Sequence, residues 1–210
     1  MTAMAIANSL QEFQADVAQC DSLIANAHRA DAVGVLLFTQ RDREQITEAA
    51  FLNLFIAWEG FVEAAFSDFM MGDATVSGAQ PAKYVSPPTR EHSSKMVIHT
   101  NKYFDFSNHE AVKRLAKLYF DNGYPIDGPV SSIIAELGEL KSIRNACAHI
   151  STTTTAALEG LANRILGQPQ PGISVYRLLT MVDPRLQNNL TVYAGYRDKL
   201  LAAAALIAQG

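Results

Sequence analysis

The period of its apolar residues is what most constrains this chain. Leu10, Phe13, Val17, Cys20, Ile24 and Ala27 follow one another at spacings of three, four, three, four and three, which lines up one face of an α-helix. A second, heavier seam holds Phe51, Phe55, Trp58, Phe61, Val62, Ala65 and Phe69. Alternation of apolar and polar residues, the mark of a half-buried strand, is nearly absent. Only residues 173–181 read as extended, and they have no obvious strand partner. The 210 residues are 49% hydrophobic and 18% charged, enough to fill one sizeable core. The expectation is an all-α bundle of five to six helices in a single domain, residues 1–210.

The first helix carries the seam over residues 10–27 and is closed or interrupted by Gly34. The second starts near Asp42, where Asp42 and Gln45 stand at capping-box spacing, and runs towards Gly72 with its aromatic residues at the centre of the core. From residue 72 to residue 103 the pattern dissolves around Pro81, Pro87 and Pro88. Apart from a short helix over 89–98, this reads as a long irregular excursion over the surface. Ser107 and Glu110 form a capping box opening a helix that carries Val112, Leu115, Leu118 and Tyr119 and stops near Gly123. Gly123 and Gly128 flank Pro125 as a turn. A further helix follows Pro129 and reaches about Ile150, and another runs from the threonines at 152–155 to Gly167. The last follows Pro184, with Leu186, Leu190, Tyr193, Leu200, Ala204 and Ile207 on one face.

The formal net charge is −4, which argues against a surface that is basic throughout. It leaves room for a local groove built from Lys113, Arg114 and Lys117, with Lys141 and Arg164 adding to it. The most apolar stretch, residues 49–66, is interrupted by Asn53, Glu59 and Glu63, so no membrane span is expected. The first basic residue is Arg29, and the charged start of a secretion leader is missing. Cys20 and Cys147 both fall in helical patterns, which fits a reducing compartment rather than a disulfide framework. A soluble cytoplasmic protein without membrane partners is expected. His92, His99 and His109 match no zinc spacing and read as surface residues, so neither metal nor cofactor is anticipated. No glycine loop suited to cradling phosphate occurs.

The chemically informative stretch is Lys141-Ser142-Ile143-Arg144-Asn145-Ala146-Cys147-Ala148-His149. At about 100° per residue, Ile133, Leu137, Leu140, Ile143 and Cys147 share one apolar arc, and Arg144 falls near its middle. A guanidinium there needs a carboxylate, a phosphate or a wet cleft. Glu59 and Glu63, four apart on the aromatic helix, would serve in an ion pair that ties helices together. Gly138, Ser142, Asn145 and His149 lie on the polar side. In an unbroken helix Arg144 and His149 would diverge by roughly 140°, so either the helix ends before His149 or two copies of the chain line one cleft. On its own, His149 also reads as a helix C-terminal histidine favoured by the dipole. Cys147, two residues from His149 and on the packing arc, reads as core rather than nucleophile. The threonine run reads as a helix start rich in capping hydroxyls.

Arg144-Asn145-x-x-x-His149, in a helix of an all-α domain, resembles the hallmark of the HEPN superfamily, an arginine and a histidine four to six residues apart. Trp58-Glu59-Gly60-Phe61 is similar to the early helix of the RiboL-PSP type within that superfamily. The resemblance implies a HEPN-like up-and-down bundle and a metal-independent endoribonuclease, often a toxin or part of an anti-viral defence system. It implies a homodimer acting on RNA, and it admits an antitoxin or other defence protein as partner. Arg144, Asn145 and His149 would then be catalytic, with Glu59, Glu63, Lys141 and Ser142 in support. The alternative is a non-catalytic HEPN-like domain that binds nucleotide, RNA or a protein.

Overall fold

The computed structural model describes residues 5–98, 104–149 and 151–210. Among these, nine α-helices and one 3-10 turn account for the named elements: α1 (Ala5–Ala27), α2 (Gln40–Met71), α3 (Arg90–Ile98), α4 (His109–Tyr119), α5 (Asp127–Ser132), α6 (Ile134–Ala148), α7 (Thr152–Leu166), α8 (Val175–Thr180) and α9 (Val192–Gln209). The all-α class is as expected. The helix count exceeds five to six because short helices form inside segments that read as turns or extended chain. The chain falls into two compact units, one of residues 1–14, 58–137 and 199–210, the other of 15–57 and 138–198.

The first unit has an aromatic core. Trp58 and Phe61 are buried on α2 and pack around Phe13, with ring centroids 6.2 and 5.4 Å from it. Further along, Phe66 and Phe69 meet Phe120, and Phe66 also meets Phe106. Asp68 is fully buried on α2, where it accepts from Ser9 Oγ at 2.8 Å and pairs with Arg90 at 2.6 Å. The stretch after α2 is not a loose excursion. Thr75, Pro81 and Pro87 are buried, Val76 N–H donates to Ala208 O, and Lys83 pairs in an antiparallel bridge with Phe120. Its helix α3 forms where residues 89–98 predicted one, with Thr89 Oγ1 accepting from His92 N–H. Of the three histidines read as surface residues, His92 is exposed, His109 is buried at the start of α4, and His99 lies outside the described residues.

The second unit packs Val17, Cys20, Phe51, Leu54, Phe55, Leu140, Ile143, Leu161, Ile165, Leu178 and Leu179. Glu139 ties it together by accepting from Tyr196 Oη at 2.6 Å and pairing with Arg185 at 3.4 Å and Arg164 at 3.9 Å. Arg185 also holds the buried carboxylate of Asp183 at 2.8 Å.

Several helix ends differ from expectation for local reasons. α1 ends at Ala27, and Gly34 sits instead in a turn where Asp31 Oδ1 accepts from the N–H groups of Val33 and Val35. The capping box of α2 is Thr39 with Asp42, each side chain accepting the other's backbone N–H, rather than Asp42 with Gln45. Asn108, not Ser107, caps α4 through Ala111 N–H. The helix expected to follow Pro129 begins earlier and breaks at Ile133, giving α5 and α6, and Ile150 lies outside the described residues. Residues 175–180 are helical, not extended, because the Ser174 side chain accepts from Arg177 N–H and nucleates α8. The last helix starts at Val192, since Leu186 and Leu190 belong to a loop closed by Asp183 N–H on Leu190 O and Val192 N–H on Met181 O. Gly195 lies where that loop docks, and a Cβ there would come within 2.4 Å of Leu186 Cδ1, so the leucine side chain would have to move.

Among the described residues α2 alone is long and apolar enough to cross a membrane, despite Asn53, Glu59 and Glu63. Half of its apolar window is buried inside the protein, where Phe51, Leu54, Phe55, Trp58 and Phe61 do the packing.

Candidate active site

The segment 141–149 lies in the second unit, on the last turns of α6 and just beyond them. Leu140 and Ile143 are buried and anchor the helix on its apolar arc. Arg144, expected near the middle of that arc, is only half-buried, as is Asn145. Among the described residues no carboxylate pairs with Arg144; its Nη1 donates to Asn145 Oδ1 at 3.2 Å. The guanidinium is therefore oriented by a neutral neighbour, and its remaining N–H groups keep their capacity for an anion.

α6 ends at Ala148, so His149 is not held to the helical direction that would turn it away from Arg144. Its backbone N–H still bonds Asn145 O at 3.0 Å, closing the last turn, and its side chain is exposed. On the other side, its carbonyl accepts from Thr154 Oγ1 at 2.6 Å. Thr154 is also the partner of Ser151 in the capping box of α7, so one threonine fixes both the helix start and the chain leaving His149. Of the threonine run, Thr154 thus acts as a capping hydroxyl opposite Ser151, and Gly167 closes α7 in the left-handed region at φ 71°.

Of the supporting residues, Ser142 is half-buried and donates to Gly138 O, a bond within the helix. Lys141 is half-buried, Glu59 half-buried and Glu63 exposed, the two glutamates belonging to the first unit. The basic residues of α4 are partly neutralised, Lys113 lying 3.7 Å from Glu110 and Lys117 3.4 Å from Asp127. Arg164 pairs with Glu139.

Cys147 is half-buried in a cleft of about 200 Å³ that it lines with Glu48, Thr154, Thr155 and Ser174. Burial, reinforced by the Glu48 carboxylate, pushes its thiol up to about 12, so it is a poor nucleophile at neutral pH. Burial also raises Glu48, against the lowering effect of Tyr176 N–H. Among the described residues no three His, Cys, Asp or Glu side chains cluster as a metal site would require. Compared with known protein families, curated proteins and solved structures, the chain matches none.

Proposed function

We propose that this protein is a metal-independent endoribonuclease of HEPN type, acting in the cytoplasm as a homodimer on RNA, in the setting of a toxin or anti-viral defence system. The observation that supports this reading best is the half-buried Arg144 guanidinium, held by Asn145 and free of any carboxylate among the described residues, one turn before an exposed histidine. Arginine grips a phosphate through a planar fork and stabilises the charge that builds on it. Histidine titrates near neutral pH and can take the proton of a ribose 2′-hydroxyl or return one to the leaving 5′-oxygen. The 2′-oxygen then bonds to phosphorus as the P–O5′ bond breaks. The products are a 2′,3′-cyclic phosphate and a 5′-hydroxyl. Two copies of the segment around one cleft would supply a base and an acid together.

Purified protein should sediment as a dimer and cleave single-stranded or looped RNA in EDTA. His149→Ala should lower the rate by about 10²–10⁴-fold while leaving circular dichroism and melting unchanged. Cys147→Ser should spare the activity. A folded His149→Ala protein that cleaves as fast as wild type would transfer the reading to a non-catalytic, nucleotide-, RNA- or protein-binding domain.

A further inference from the structure

Between α1 and α2, within the second unit, the chain turns an apolar tip to solvent. Val33, Val35, Leu36, Leu37 and Phe38 follow one another with only Gly34 between them, and each is between 39% and 83% exposed. Single apolar residues on a surface are ordinary. A run of large ones at the end of a turn marks a place that meets something apolar.

The backbone of the turn narrows the kind of partner. Asp31 N–H donates to Val35 O at 2.8 Å, Gly34 N–H to Asp31 O at 3.1 Å, and Leu37 N–H to Arg29 O at 3.0 Å. Asp31 Oδ1 accepts from the N–H groups of Val33 and Val35 at 2.9 and 2.8 Å. These donors are thus satisfied inside the turn. Such a tip offers little to a partner that docks by backbone pairing, and it suits hydrocarbon, which can satisfy no polar group.

The charged groups at its base point the same way. The carboxylates nearby are engaged with neutral local donors: Asp31 with the turn, Asp42 with Thr39, and Glu44 with Gln40 Nε2. Arg29, at the closing bond of the turn, and Arg41, in the first turn of α2, are exposed and enter no salt bridge among the described residues. Arg43 Nη1 donates to Phe38 O at 2.7 Å, which keeps a third guanidinium beside the end of the tip. An apolar tip with guanidinium forks at its base matches a bilayer whose headgroups present phosphates above hydrocarbon.

We propose that residues 33–38 insert into the surface of an anionic lipid bilayer, with Arg29 and Arg41 meeting the headgroup phosphates. Attachment of this kind lies on the membrane and needs no spanning helix. It uses no residue of the 141–149 segment and is independent of the ribonuclease reading. The full-length protein is spun with vesicles of phosphatidylcholine alone and with vesicles of phosphatidylcholine and phosphatidylserine in equal parts. It should sediment with the mixed vesicles, far less with the neutral ones, and added salt should weaken the binding. Val33→Ser/Leu37→Ser should lower the affinity about tenfold or more. Arg29→Gln/Arg41→Gln should lower it about fivefold per arginine on the mixed vesicles and leave binding to phosphatidylcholine unchanged. Circular dichroism establishes that each variant is folded. Protein that stays out of the mixed-vesicle pellet overturns the proposal, as does a folded Val33→Ser/Leu37→Ser variant that binds as wild type. It is also overturned if that variant keeps its vesicle binding and instead loses mass in sedimentation without lipid, which would assign the tip to a second copy of the chain.

Discussion

At the scale of single residues, Glu48 makes a prediction whose sign follows from its surroundings. Burial in the cleft beside Cys147, and secondarily the charge of Glu44, raise its pKa above the ordinary 4.5. The folded protein therefore holds this proton more tightly than the unfolded chain does. Stability contributed by the group is fully present below pH 4.5 and is lost as the pH rises through the folded value. Glu48→Gln, which keeps an oxygen for Tyr176 N–H, should stabilise the protein at pH 7 and leave it nearly unchanged at pH 4. Denaturant melts at the two pH values decide it; an equal gain at both would mean that packing, not ionisation, is at work. The spacing of Arg144, Asn145 and His149 could be read directly, because six consecutive residues are local in sequence. His28 could not. It stands just beyond α1, and the hydroxyl 3.1 Å from its Nε2 belongs to Tyr176, far along the chain.

At the scale of elements, periodicity revealed that helices exist and which faces they bury, since Phe13, Val17, Cys20, Phe51, Phe55 and Trp58 all lie inside. It did not locate their ends. Ends are decided by single hydrogen bonds between neighbouring polar residues, and several candidates compete at each. Thr39 outcompetes Asp42 as the first cap because its hydroxyl receives Asp42 N–H at 3.2 Å while the carboxylate returns to Thr39 N–H at 3.1 Å. The same bonds hold the Asp42 carboxyl below its ordinary range. Thr39→Ala should cost about 1 kcal/mol of stability, and Gln45→Ala should change little, as measured by chemical denaturation. A larger loss at Gln45 would place the start of α2 elsewhere. The cleft beside Cys147 was illegible for a different reason: it is assembled from several helices distant in sequence, and nothing local marks Glu48 as a lining residue.

At the scale of the whole molecule, large aromatic groups make up much of the core. Trp58 is 1% exposed and packs edge-on against Phe13 at 6.2 Å, so Trp58→Ala should cost about 3–5 kcal/mol. A thermal melt within error of wild type would show that the core relaxes around the missing indole. The two thiols carry a consequence for how such unfolding can be watched. Both belong to the second unit, and burial holds Cys20 near 11 and Cys147 near 12, so neither offers appreciable thiolate at neutral pH while the fold is closed. Opening returns them to an ordinary thiol, and an alkylating pulse then labels only molecules that have opened. The native chain thus contains its own clock for the breathing of that unit: mass added per unit time at Cys20 and Cys147 should track denaturant-induced opening, without any introduced probe.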